Sequence, residues 1–354
     1  LAIASYRKAI ELNPVYFKAQ NGLANELQKL NKFEEAEDNY KKAIDINPNY
    51  DEAYNNWGTL LFECNKLDEA IEKYLQALTI NPKQANAKTN IITILNYVVP
   101  NKKITHPIIE ANRNLQNIKN NFTLENKIQE NELAIFFKSC NKVIRNTNEK
   151  LTSDLSQIYR RNSINLGCER HKQIFADSNI IAKACFSCFK IQVEPKNVLE
   201  LFKLFFIFDK LVLPKNNSRK CMVETRSKVS GTYKGIIYCS SIEETNEILE
   251  IISPIINNQI ECKIVIKRGC VEYTESYPDY LETDSSNPNF MKYKNEWQEK
   301  EIFFDTKKNI RLRNHYNSLS GISVSDVLIM NNWLKYADKI DDQSYKNIDK
   351  DVII

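Results

Sequence analysis

The sequence predicts an α-helical solenoid followed by a separate α+β domain. Three observations carry that expectation. A motif recurs at fixed spacing over residues 1–98, helical periodicity gives way after about residue 162 to short β-rich runs, and those runs alternate with helical ones in the order βαββαβ. The chain's 354 residues leave room for two or three domains, and 42% hydrophobic with 27% charged residues is an ordinary globular balance. A net charge of +4 is small for this length and does not by itself call for nucleic acid or an anionic membrane. The nine cysteines, an odd number in a chain too long to need disulfide staples, fit a reducing, cytoplasmic setting. No run approaches the roughly 18 apolar residues of a membrane span. No signal peptide is read at the start, and because Leu1 falls inside a repeat the chain reads as a fragment of a longer array.

The repeat is visible as "YRKAIELNP" (Tyr6 to Pro14), "YKKAIDINP" (Tyr40 to Pro48) and "YLQALTINP" (Tyr74 to Pro82), 34 residues apart. Small residues at Ala36, Ala43, Gly58, Ala70 and Ala77 let antiparallel helices approach closely, while Leu, Trp and Tyr at spacings of three and four bury against neighbours. Each Asn-Pro step ends a helix, because proline lacks the N–H and disfavours helical backbone in the residue before it. Leu23, Ala24, Leu27, Ala36, Tyr40, Ala43 and Pro48 in one unit, with Trp57, Gly58, Leu61, Ala70, Tyr74, Ala77 and Pro82 in the next, resemble the tetratricopeptide repeat (TPR). The resemblance covers about residues 1–98 and implies a TPR solenoid whose first helices line a groove for a protein or peptide partner.

Spacing places Asn21 and Asn25, then Asn55 and Asn56 with Thr59, then Asn86 and Asn90 with Thr93, on equivalent turns of those first helices. An asparagine amide both donates and accepts, so such a ladder can hold a peptide main chain whatever its side chains. Asn21, Asn25, Asn55, Asn56 and Asn90 are the candidate peptide-binding residues. Similar asparagine ladders occur in the repeat domain of the O-linked N-acetylglucosamine transferase family; the alternative is that the chain is simply asparagine-rich throughout.

Residues 99–162 lose the period but keep helical patterning, with Ile108, Ile109, Leu115 and Ile118 in one stretch and Leu133, Ile135, Phe136, Val143 and Ile144 in another, as expected of helices that cap a solenoid. His106 reads as a helix-entry residue. Residues 163–280 then give strands "CFKIQVE", "KCMVETR", "TYKGIIYCS" and "CKIVIKRGCVEY", with helices "NVLELFKLFFIFDKL" and "SIEETNEILEIISPII" between them. The hairpin is expected to turn near Ser230 and Gly231. This βαββαβ order is the ferredoxin-like α+β arrangement. Residues 281–354 read as a linker and a helical extension, with Val327, Met330 and Leu334 as the buried stripe of its helix and Asp326 off that stripe.

Cys168-x2-His171 and Cys185-x2-Cys188 are two short chelate pairs separated by 13 residues, the pattern of a structural zinc site, with buried unligated thiols as the competing reading and a redox or iron–sulfur role as a third. Four protein ligands would leave no open position for catalysis. The remaining cysteines of this region, Cys221, Cys239, Cys262 and Cys270, read as small buried hydrophobes. No phosphate loop, nucleophile elbow or metal-binding helix motif is present, and seven glycines leave little scope for one. His315, with Arg311 and Arg313 nearby, reads as part of a polar turn. Lys234, Gly235 and Tyr238 faintly resemble the third-strand motif of RNA-recognition domains, with Ile236 and Ile237 where aromatics are wanted. A peptide-binding adaptor with a possible structural zinc is therefore the expected function; an enzyme acting on what the repeats capture, or an RNA-binding module, are the alternatives.

Overall fold

The structure is a computed structural model that describes residues 1–118, 122–226, 229, 231–307 and 316–349. Ser230, Arg311, Arg313 and His315 lie outside the described residues. The chain divides into two compact units, the first Leu1–Asn117 with Val143–Thr152 and Ser323–Ser325, the second Ile118–Lys142, Ser153–Ile322 and the residues from Asp326 onward.

The first unit begins with helices α1 (Ala2–Leu12), α2 (Phe17–Lys29), α3 (Phe33–Ile46), α4 (Asp51–Glu63), α5 (Leu67–Ile80) and α6 (Ala85–Ile94). First helices start at residues 17, 51 and 85, so the structure keeps the 34-residue period of the sequence. Ala36, Ala43, Ala70 and Ala77 are fully buried, as are Tyr40 and, to 2%, Tyr74. A Cβ added at Gly58 would stand 2.7 Å from the Tyr74 ring, which is why the larger side chain needs a glycine opposite it. Asparagine also sets both kinds of turn. Asn31 and Asn65 take left-handed backbone, φ 62° and 63°, between paired helices, a conformation asparagine adopts more readily than other non-glycine residues. Asn47 and Asn81, each before a proline, are extended, and their Oδ1 atoms accept from the N–H two residues on at 3.2 and 3.1 Å. Helix α7 (Pro107–Asn117) follows, with Ile108, Ile109 and Leu115 buried and His106 Nδ1 accepting from Ile108 N at 3.3 Å.

Helix α8 (Glu130–Arg145) precedes a short strand β1 (Gln157–Arg160) and helix α9 (Cys168–Ser178). Within α8, Leu133, Phe136 and Phe137 are buried, whereas Ile135, expected in the core, is 65% exposed because it falls on the opposite side of the helix. The second unit continues with β2 (Phe189–Glu194), α10 (Val198–Lys210), β3 (Arg219–Val223), β4 (Tyr233–Cys239), α11 (Ile242–Gln259), β5 (Lys263–Arg268), α12 (Trp297–Lys307) and α13 (Val324–Lys339). This is a mixed α+β region. Its sheet runs β1-β3-β4-β2-β5, with every neighbouring pair antiparallel.

One face of that sheet is buried through Ile191, Val193, Cys221, Val223, Ile237 and Cys239. Helix α10 lies directly on it: a Cβ at Gly235 would meet Leu204 Cδ2 at 2.5 Å and Phe208 Cζ at 2.9 Å. Ten of the eleven positions of α10 from Val198 to Phe208, all but Glu200, are buried, so this helix is enclosed all round rather than on one stripe. Helix α11 is capped by Ser241, whose Oγ accepts from Glu244 N at 3.1 Å. In α13, Val327, Met330 and Leu334 are buried as expected, but Asp326 is 2% exposed instead of facing solvent.

Candidate functional site

In the repeats, the asparagines on α2, α4 and α6 are joined to one another. Asn90 Nδ2 donates to Asn55 Oδ1 at 2.9 Å, Asn55 Nδ2 to Asn56 Oδ1 at 3.3 Å, Asn56 Nδ2 to Asn21 Oδ1 at 3.2 Å, and Asn21 Nδ2 to the Tyr50 hydroxyl at 3.4 Å. The Tyr50 hydroxyl donates in turn to Glu52 Oε2 at 2.7 Å. One N–H of each amide is used in this chain; each amide carries a second. Asn21 and Asn55 are buried, at 4% and 6% exposure, while Asn25, Asn56 and Asn90 are half-buried. Asn25 belongs to a separate cluster in which Asn25 Oδ1 and Gln28 Oε1 lie 2.6 and 2.8 Å from the Tyr40 hydroxyl. The spacing in the sequence locates these side chains on equivalent turns; that they bond across the helices was not legible there.

In the α+β region, Cys168, His171, Cys185 and Cys188 all border one cavity of about 240 Å³, which Gly269 and Cys270 also line. They do not form a chelate. Among the described residues no group of three or more His, Cys, Asp or Glu side chains is placed to hold a metal ion. The expected structural zinc is overturned, and the reason is local. Cys168 and His171 sit on the first turn of α9 rather than in a knuckle, one exposed and the other buried, with His171 Nε2 turned back to within 3.2 Å of where a Gly167 Cβ would be. Cys185 lies in the short 3-10 helix Lys183–Ser187, and its Sγ is 3.7 Å from the Tyr273 hydroxyl. Burial pushes the thiol of Cys185 up to about 12 and that of Cys188 up to about 11. Burial likewise lowers His171.

One buried ion-pair cluster escaped the sequence reading, and one residue it named is placed differently from what was expected. Arg160, on β1, is bound by Asp209 and by Asp326 at 3.1 Å, and its Nη2 donates to Gly321 O at 2.7 Å. Burial opposes its charge, but the two carboxylates outweigh burial and hold the guanidinium above its ordinary value. Lys234, expected as a possible RNA contact, is 2% exposed and donates to Glu224 at 3.2 Å, which removes it from any open nucleic-acid surface.

These features define the N-terminal part as a helical repeat array whose first helices are joined by an amide chain, and comparison with known families identifies the repeat. Residues 17–50 and 39–72 match models described as Tetratricopeptide repeat, and residues 58–91 match one described as TPR repeat. Residues 17–91 are thus tetratricopeptide repeats, and none of these matches reaches beyond residue 91. No curated protein matches the chain. Among solved structures, the first TPR of Spaghetti (RPAP3) bound to the HSP90 peptide SRMEEVD is 28% identical, covers 26% of this chain and 73% of its own, and has a TM-score of 0.25. The second TPR domain of human RPAP3 in complex with the HSP70 peptide SGPTIEEVD is 27% identical over 26% of this chain and 77% of its own, with a TM-score of 0.25. YrrB, a TPR protein with an unusual peptide-binding site, is 26% identical over 25% of this chain and 46% of its own, again with a TM-score of 0.25.

Proposed function

We propose that the tetratricopeptide repeats bind an extended segment of a partner protein by its main chain, through Asn21, Asn25, Asn55, Asn56 and Asn90. The single observation behind this reading is the amide chain from Asn90 through Asn55 and Asn56 to Asn21, which crosses the first helices of three successive units. Its internal bonds fix the rotamer of each amide in advance, so a peptide that docks there meets oriented donors and acceptors at little entropic cost. Helices packed about 10 Å apart match about three residues of extended chain per step, so three helices engage a peptide of roughly six to seven residues.

The test uses peptides selected from a random library on the intact chain. Binding that tolerates side-chain changes in the peptide but is lost on N-methylation of its backbone, and that falls in Asn56→Ala and Asn90→Ala, supports the reading. Peptides that bind both variants as tightly as the wild type would sink it. For the second unit, a ferredoxin-like domain is the reading supported by the order β5-β2-β4-β3 and by the two helices on one face, with β1 as an added edge strand.

A further inference from the structure

The sheet face turned away from α10 carries an unusual concentration of lysine. Alternation along the strands places Tyr159 (β1), Lys220 (β3), Lys234 and Tyr238 (β4), Lys190 (β2) and Lys267 (β5) on that side. Lys190 stands directly opposite Tyr238 on one neighbouring strand and directly opposite Lys267 on the other. Like charges facing each other across strands are destabilising. Lys234 is neutralised by Glu224; Glu194 on the same face attracts Lys267, and Glu272 lies near enough to Lys190 to feel its charge, but among the described residues no carboxylate comes within ion-pair distance of Lys190, Lys220 or Lys267.

Instead the ammoniums rest on neutral acceptors. Lys190 Nζ donates to Gly269 O at 2.5 Å and lies 3.6 Å from Cys270 Sγ; Lys220 Nζ donates to Gln157 Oε1 at 2.9 Å and to the Tyr159 hydroxyl at 3.3 Å. Burial, then Lys190 and Arg226, push Lys220 down to about 8, against the pull of Glu224, and Arg161 adds to the repulsion. Burial lowers Lys267 too. Gly269 and Cys270 are also walls of the cavity of about 240 Å³, so Lys190 connects the lysine row to a hollow bordered by Cys168, Cys185, Cys188 and Cys239.

We propose that this face and its adjoining cavity bind a small phosphate-bearing molecule, with the phosphate held at Lys190 between Lys220 and Lys267 and the less polar remainder against the thiols. Three compact ammonium charges suit a phosphate, which offers three terminal oxygens and close to two negative charges; a carboxylate offsets only one of them. A single-stranded nucleic acid is the poorer match, because it needs open aromatic faces on which bases stack. The face of Tyr159 is taken by Arg161 at 4.2 Å and Lys220 at 5.3 Å, and Tyr238 is only partly exposed with Lys190 at 5.7 Å from its ring.

The experiment adds inorganic phosphate, pyrophosphate, acetate or an oligothymidylate to the intact chain at constant ionic strength. Thermal midpoints and the lysine side-chain NMR titration are then followed. Phosphate or pyrophosphate is expected to raise the midpoint more than acetate and to move the titration of Lys220 back up, toward that of an ordinary lysine. Lys190→Met and Lys267→Met should each weaken the interaction roughly tenfold or more, the size of one lost charge-assisted contact, while Lys263→Met, an exposed change on the same strand, leaves it intact. The wild-type shift of Lys220 stands as a readout even if a variant fails to fold. Equal stabilisation by phosphate and acetate, an equal loss in Lys263→Met, or tighter binding of the oligonucleotide than of pyrophosphate would each overturn the proposal.

Discussion

Arg160 and Asp326 form a buried ion pair 3.1 Å apart although 166 residues separate them in the chain. The pair ties the edge strand β1 to the beginning of α13, with Asp209 at the end of α10 completing the cluster. Removing one member of such a pair leaves a charge out of water with too few partners. Asp326→Ala should therefore destabilise the second unit by about 3–5 kcal/mol, read as a lower urea midpoint, and Asp326→Asn by less, since its amide oxygen still accepts from the guanidinium. An unchanged midpoint in Asp326→Ala would show the pair to be dispensable.

Asn55 both donates and accepts within the ladder and is itself buried. Truncation to alanine leaves Asn56 Oδ1 and Asn90 Nδ2 without these partners; both side chains are half-buried and water can reach them, so the cost is about 1 kcal/mol. Asn25→Ala breaks a different cluster, at Tyr40. Combining Asn25→Ala with Asn55→Ala should give nearly additive losses in chemical denaturation, whereas Asn55→Ala with Asn90→Ala should cost less than the sum, because the second change removes a group the first had already orphaned.

Gly269 has φ +54°, and a Cβ there would lie 2.0 Å from the Tyr280 hydroxyl. Gly269→Ala thus combines left-handed strain with overpacking against a fully buried ring, and should destabilise the second unit by about 1–3 kcal/mol. Circular dichroism melts would detect this; a variant as stable as the wild type would mean that Tyr280 yields freely.

The Glu224 carboxyl is held down at about 2 by hydrogen bonds from Arg226 and Lys234, which outweigh its burial. Its folded-state value is below its unfolded one, so the stabilisation is fully present above about pH 4.5 and is lost as pH falls from there toward 2. The loss is smaller than the roughly 3 kcal/mol of the full shift, because Arg226 is exposed and water screens its share. Glu224→Gln should flatten the acid limb of the stability–pH profile, and an unaltered limb would assign the acid sensitivity to other carboxylates.

Burial raises the thiol of Cys185 to about 12 and that of Cys239 to about 11, and Cys221 is raised further still. The neutral thiol is a poor nucleophile. Iodoacetamide at pH 8 should leave these three unmodified in the native chain and label them on unfolding, as peptide mass spectrometry would report.

What was legible in the sequence depended on whether the cause was local. The 34-residue period, the Asn-Pro stops and the alternation of β2, β3 and β4 are set by neighbours in the chain, and all are found in the structure. Strand β1 was missed because four residues, Gln157 to Arg160, are too few to display a period; only their pairing with Met222 to Arg219 makes them a strand. Asp326 was misplaced for a related reason. Its neighbours Val327 and Met330 define the helix stripe, but its burial is fixed by Arg160, whose position no local pattern reveals. The zinc expectation failed because a Cys-x2-His spacing is as natural within the first turn of a helix as in a chelating knuckle, and the sequence around Cys168 does not tell the two apart.

The order β1-β3-β4-β2-β5 leaves β1 and β5 as the two edges of the sheet. An edge strand is a template onto which a foreign strand can add, and proteins guard such edges by keeping them short or studding them with lysine. Here one edge is only four residues long, while the other carries Lys263 and Lys267 among its six. Lys263 and Lys267 thus set two like charges along this edge, where a second copy of the same strand would meet them, and an acidic substitution at either would remove that repulsion.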